Sequence, residues 1–223
     1  MRVVLRTLAM TALMAGVAAP VAAQMPRAEL SGIVGWNWSD GVEGDGVLAG
    51  DGNIYNEVGP ADSFAWGLDL GFNVTEQVQV GFLYGQQMST VEISGTADRE
   101  IGDFNVNTYH GYVAFNLTPP DAPVRPYFMF GLGATQYGSV DFEGPGGLTG
   151  TTEGDTQFSG TLGAGVKAYA GNVGVRLGAQ WTPTYIKSDS VGWWCDPYWG
   201  CYVVGDAQYS NQFQLSAGLT FRF

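Results

Sequence analysis

Eight stretches of the chain alternate apolar and polar residues with the period of two that marks a β-strand. The last is the plainest. In residues 214–223, Leu215, Ala217, Leu219, Phe221 and Phe223 share one face, while Gln214, Ser216, Gly218, Thr220 and Arg222 share the other. The second is as regular: Phe64, Trp66, Leu68, Leu70, Phe72 and Val74 alternate with Ala65, Gly67, Asp69, Gly71 and Asn73. The first runs from Leu30 to Trp38, the third from Val78 to Met88, and the fourth ends at Leu117. The fifth starts at Val124 and sets Phe128, Phe130 and Leu132 against Arg125, Tyr127 and Gly131. The sixth sets Phe158, Leu162 and Val166 against Ser159, Thr161 and Lys167; the seventh sets Val173, Val175, Leu177 and Trp181 against Gly174, Arg176 and Gln180. No helical pattern of useful length interrupts them after the N-terminus, so the chain reads as all-β.

The connections alternate in length. Thr75-Glu76-Gln77, TPPDAP and Gly171-Asn172 are short, the last a tight hairpin signal. The other connections are long, spanning 40–63, 89–103, 138–155 and 187–206. One end of short turns and one of long loops is the layout of an up-and-down membrane barrel. Alternation by itself does not say whether the apolar face meets a core or lipid, because a soluble lipocalin-like barrel also alternates. Lipid is favoured by three features. The opposite face is rich in glycine and carries Asp69, Lys167 and Arg176 in mid-strand. Aromatic residues (Trp36, Trp38, Phe64, Phe72, Phe115, Trp181, Phe223) gather near strand ends, as interfacial girdles do. Pairing of the last strand with the first would remove both open edges, as hydrocarbon requires.

Charge and the N-terminus refine this reading. Residues 1–23 combine a basic start (Arg2, Arg6), a short apolar run and small residues before Gln24, the features of a secretory signal. That leaves 24–223 as one barrel domain, and no segment in it approaches the roughly 18 consecutive apolar residues of a membrane helix. Beyond the signal, seven basic residues face 21 acidic ones, a net charge of −14. Such a chain repels phosphate backbones, so nucleic acid is excluded as a partner.

With eight strands, four long loops, the stretch PVRPYFMFGLGA at 123–134 and the final LTFRF, the chain resembles the eight-stranded outer-membrane barrels of the OmpA/OmpX and opacity-type surface-antigen kind. The resemblance covers essentially all of 24–223. It implies the outer membrane of a Gram-negative cell, with lipid and lipopolysaccharide as surroundings. It also implies that the terminal aromatic strand, Phe221 and Phe223 above all, is the recognition signal for the barrel-assembly machinery. In contrast to full-length OmpA, a barrel without a peptidoglycan-binding domain is expected.

Motifs that could carry chemistry give way to plainer readings. GAGVKA at 163–168 fits the dinucleotide pattern, but alternation runs through it into another strand where a helix is needed. His110, the single histidine, lies deep on a lumen face without an accompanying H-x-S, which favours a hydrogen-bonded histidine over a catalytic base. The acidic segment SDGVEGDGVLAGDGN lacks EF-hand spacing and reads as a solvated, mobile loop, with loose divalent bridging to lipopolysaccharide phosphates as the alternative. Cys195 and Cys201, in the aromatic stretch WWCDPYWGCYVV, are the two cysteines of an exported chain, and a disulfide between them is expected.

One constellation remains. A two-residue turn at Gly171-Asn172 sets Lys167 opposite Arg176, both facing inward. A narrow barrel has room for side chains rather than a channel, so these cations need partners, and Glu29 and Asp69 are the inward acids. A lumen network of Glu29, Asp69, Lys167 and Arg176 is expected, with His110 or Tyr112 filling gaps. The reading from sequence is a non-enzymatic outer-membrane barrel with a structural or surface-interaction role, its long loops available to a surface ligand. No catalytic, metal or cofactor residues are assigned. The alternatives are a narrow ion channel and, after it, a lipid A-modifying enzyme.

Overall fold

The structure, a computed structural model, describes residues 27–48, 53–144, 148–151, 154–186, 195–196, 200–201 and 208–223. The putting together of its ladders makes one closed antiparallel barrel. Its strands are β1 (Ala28–Ser39), β2 (Ser63–Asn73), β3 (Val78–Gly95), β4 (Arg99–Asn116), β5 (Val124–Tyr137), β6 (Asp155–Ala170), β7 (Val173–Ile186) and β8 (Gln208–Arg222). Each pairs with its neighbours in sequence, and β8 closes on β1 from Glu29↔Arg222 to Ser39↔Gln212. Following the rungs once around from Glu29 returns to β1 at Ser39, about ten residues nearer the long-loop end, the stagger that tilts the strands of a closed eight-stranded barrel.

The alternation sorts inside from outside in the reverse of a soluble core. Large apolar side chains, from Leu30 and Trp36 through Phe82, Phe128 and Leu177 to Phe223, are exposed. Glu29, Asp69, His110, Arg125, Lys167, Arg176 and a series of Ser, Thr and Gln residues are buried. Gly171 has a φ of 67°, and no other described residue that is not glycine has positive φ, so the β6–β7 turn is of type II′ with its glycine where that turn requires it. The segment 163–168 lies wholly within β6, as the alternation expected.

Two long connections differ from the sequence reading. Most of 89–103 is strand, because β3 and β4 continue pairing to Ile93↔Arg99 beyond the point where β2 and β5 leave them. In the acidic first connection, expected as a loop, the described residues on either side of 49–52 are paired strands. Val42–Leu48 pairs with Ile54–Pro60, which pairs in turn with the outer part of β3, as Gly59↔Glu92 and Pro60↔Val91. The reason is apolar. Val42, Tyr55 and Val58 are buried in a cluster with Val91, Ile93, Phe104, Val106, Tyr137 and Ile186. Burying these side chains offsets the entropy of ordering the ribbon, a gain invisible while acidic residues dominate the segment's composition.

Candidate functional site

The lumen is filled in levels. Nearest the short turns, Glu29 on β1 receives three donors. Lys167 Nζ lies 2.5 Å from its Oε2, Gln79 donates from 2.9 Å, and an Arg125 Nη1 donates to its Oε1. Lys167 also donates to Gln79 Oε1 at 3.0 Å, and Arg125 reaches Asn73 Oδ1 at 3.4 Å. One level further in, Asp69 on β2 is paired with Arg176 Nη1 and accepts from Tyr112 at 2.5 Å. Arg176 Nε donates to Tyr127 Oη at 2.8 Å, and the Tyr127 ring lies between the two cations, 5.0 Å from the Arg176 guanidinium and 5.3 Å from Lys167 Nζ.

The ladders explain why these groups meet. Lys167 stands opposite Arg176 on one side and Arg125 on the other, so three cations share one wall. Both acids come from β1 and β2 on the far wall. The tyrosines cross between them because the lumen surface beneath is glycine. A Cβ on Gly81 would lie 2.5 Å from the Tyr112 hydroxyl, and one on Gly165 2.7 Å from that of Tyr127.

The four residues expected to form the network are thus brought together in two adjoining groups, and Tyr112 joins them. His110 does not. It lies further along the lumen and bonds Ser159 Oγ at 2.9 Å, in a hydroxyl chain continued by Thr135 and Thr184. Arg125 and Gln79 were missing from the sequence reading. Alternation had already turned Arg125 inward, but its place beside Lys167 depends on the β5–β6 register, which no short turn fixes.

Further outward, Gln87 joins Asn37, Ser39, Ser63 and Gln212 by hydrogen bonds of 2.9–3.2 Å. A cavity of about 30 Å³ beside Asn37, Gln87, Thr182 and Gln212 has room for about two waters. The apolar cluster of Val42, Tyr55, Val106 and Ile186 then covers the lumen at the long-loop end. A closed wall with apolar residues outward and a salt-bridged polar interior is the inversion that hydrocarbon surroundings demand.

A family model described as outer membrane protein beta-barrel domain matches residues 8–223. The chain belongs to that family. Its barrel resembles Neisserial surface protein A, with a TM-score of 0.55, 15% identity, and 88% of this chain and 97% of that one covered. It also resembles the outer membrane protein OprG from Pseudomonas aeruginosa, with a TM-score of 0.57, 11% identity, and 89% and 97% covered. A third likeness is to outer membrane protein AlkL in DMPC bilayers, with a TM-score of 0.53, 12% identity, and 92% and 94% covered. No curated protein matches the sequence. The family places the barrel in the Gram-negative outer membrane, among lipid and lipopolysaccharide. Residues 1–23, expected to be a signal, lie outside the described residues.

The outer rim of this outer-membrane barrel is acidic by construction. Glu43 stands opposite Glu57 in the ribbon, and Glu92 opposite Glu100 across β3 and β4. Partial burial, and then Asp98, Glu100, Asp62 and Glu57, push the Glu92 carboxyl above the ordinary carboxylate range. A carboxyl raised in the folded state contributes stability that is full below its unfolded value and lost as pH rises through the folded one. Glu92→Gln is therefore expected to leave the thermal midpoint unchanged near pH 3.5 and to raise it slightly at pH 7.5, within the roughly 0.5 kcal/mol scale of surface changes. Equal effects at both pH values would show that Glu92 does not feel its neighbours. Among the described residues, no group of three or more His, Cys, Asp or Glu is placed to hold a metal ion.

In the last long connection, the backbones of Cys195 and Cys201 face each other across a two-residue antiparallel ladder. Their side chains lie outside the described residues. We expect a disulfide. It would close a short loop worth about 2–2.5 kcal/mol at most in the chain-entropy model. Thiol labelling of unfolded, unreduced protein checks it, and two reactive thiols per chain would refute it.

Proposed function

We propose that the barrel is a non-enzymatic, non-conducting outer-membrane protein whose role is structural or surface-interacting, exercised at its acidic outer rim. The observation that carries this reading is the double closure of the lumen. The network around Glu29 and Asp69 blocks one level, and the apolar cluster around Val106 and Ile186 blocks another. An ion entering would have to displace paired charges and then cross a dry constriction, and each step costs several kcal/mol. The surface role is supported by an open groove of about 690 Å³ between Asp62, Ser89, Glu100, Asp103 and Phe104, the concave part of the rim. Its charge suits a cationic ligand. In keeping with a non-enzymatic role, His110 is fully buried, with a serine and threonines as neighbours.

Planar-bilayer recording of the purified, refolded barrel tests the closure. The wild type is expected to be electrically silent. Asp69→Ala, which strips Arg176 and Tyr112 of their acceptor, is expected either to lower stability by about 3 kcal/mol or to open an ion leak. A wild type that conducts strongly, with the variant unchanged in both respects, would establish the channel reading instead. A shifted lipid A mass on overexpression would establish the enzyme reading.

A further inference from the structure

The charges buried among the described residues do not balance. Arg125, Lys167 and Arg176 are cations, Glu29 and Asp69 are the acids, and none of the five is more than 4% exposed. Asp155, on the same face of β6 as Lys167, is half-buried at the opposite, long-loop end. His110, charged or neutral, adds no negative charge. Arg176 and Asp69 pair one to one, whereas Arg125 and Lys167 share the single carboxylate of Glu29. The surplus positive charge therefore lies at the level nearest the short turns. Enclosed by a wall that faces hydrocarbon, it is costly unless a counter-charge lies beside it.

Buried polar atoms without a hydrogen-bond partner gather at this same level. They are Arg125 Nε, both ends of the Asn116 carboxamide and the Tyr169 hydroxyl. The ladders make the three residues neighbours. Arg125 stands opposite Lys167, so Tyr169, two positions further along β6, is its diagonal neighbour. Asn116 stands opposite Tyr127, two positions along β5 from Arg125, and is the diagonal neighbour on the other side. Diagonal pairs on one face of a sheet are roughly 7–8 Å apart, within reach of long and aromatic side chains. The three groups can thus converge on one small ligand. Arg222 strengthens the positive potential there: its guanidinium lies 4.4 Å from the centre of the Tyr169 ring and donates to backbone carbonyls rather than to a carboxylate.

The chemistry of these groups selects the ligand. A guanidinium N–H can only donate, and the carboxamide and the phenol each have a donor to offer. A water could accept from all three but would leave the charge uncompensated. An anion does both. A lumen filled by side chains leaves room for an ion of atomic size and not for a phosphate ester. We infer that Arg125 Nε, Asn116 Nδ2 and the Tyr169 hydroxyl form a binding site for one small monovalent anion, of the size of chloride, at the short-turn end of the lumen. The site lies at the opposite end of the barrel from the acidic rim and is independent of any ligand bound there.

The test unfolds the refolded barrel in lipid vesicles with urea, at constant ionic strength, while chloride replaces gluconate, which is too large for the site. The folded-to-unfolded ratio of the wild type is expected to rise with chloride, approaching about tenfold per tenfold above the dissociation constant, as uptake of one ion on folding requires. Arg125→Met removes both the surplus charge and the Nε donor while leaving Glu29 paired with Lys167, and its stability should not respond to chloride. Tyr169→Phe removes one donor without changing the charge, and it should need several-fold more chloride for the same gain. In crystals grown with bromide, an anomalous peak is expected beside Arg125 Nε. A wild type indifferent to chloride, an unaltered chloride response in Arg125→Met or Tyr169→Phe, or bromide on the surface as an adventitious ion only would overturn the assignment.

Discussion

Glu29→Ala is expected to destabilise the barrel by about 3–5 kcal/mol, the largest single-residue effect foreseen here. Glu29 is 1% exposed and is the carboxylate partner of both Arg125 and Lys167. Its removal leaves two cations side by side on β5 and β6, with the neutral oxygens of Asn73 and Gln79 as their remaining hydrogen-bond acceptors among the described residues. Desolvation already paid for by ion pairing then becomes a net cost, and repulsion across the Lys167↔Arg125 rung adds to it. Glu29→Gln should be nearly as damaging, because shape survives while charge does not. Ser31→Ala, which removes the hydroxyl pair with Thr220, should cost only about 1 kcal/mol. Denaturant unfolding in lipid vesicles distinguishes these cases. A Glu29→Ala loss no greater than that of Ser31→Ala would mean that the cations find water or one another's neighbours at little cost, and the network would not be a stabilising unit.

Phe223→Asp is expected to deplete the folded protein in cells several-fold while leaving the stability of refolded protein almost untouched. The two halves of that expectation have different causes. Phe223 is 67% exposed on the lipid face, at the short-turn interface. A carboxylate there costs about 0–1 kcal/mol, because the headgroup region is wet. The backbone at this position is already secured. Phe223 N donates to Ala28 O at 3.0 Å, and Arg222 donates to the carbonyls of Gly171 and Pro120 at 2.8 and 2.6 Å. A large loss in cells therefore reports recognition during assembly, which the resemblance assigns to the terminal aromatic strand. The comparison is with an equivalent change at Tyr209, an exposed aromatic at the other end of β8. Wild-type amounts of folded Phe223→Asp protein would remove the recognition role.

Strand count, inside–outside assignment and the identity of most lumen charges were legible in the sequence. A half-lipid, half-lumen wall imposes strict alternation on every strand, so faces can be read without coordinates. Short turns carry further information. Gly171-Asn172 fixed the β6–β7 register, and with it the opposition of Lys167 and Arg176, because a two-residue loop permits no slippage. Arg125 shows where this stops. Its inward direction followed from alternation, but β5 and β6 are joined by a long connection that leaves their register free, so its contact with Glu29 did not follow. The ordered ribbon of the first connection was hidden for a different reason. Acidic residues dominate its composition, whereas its pairing is decided by Val42, Tyr55 and Val58 meeting Val91 and Phe104 from distant strands. Local periodicity determines which way each side chain points; which side chains then meet is decided by register and closure, because those depend on pairings summed around the whole barrel.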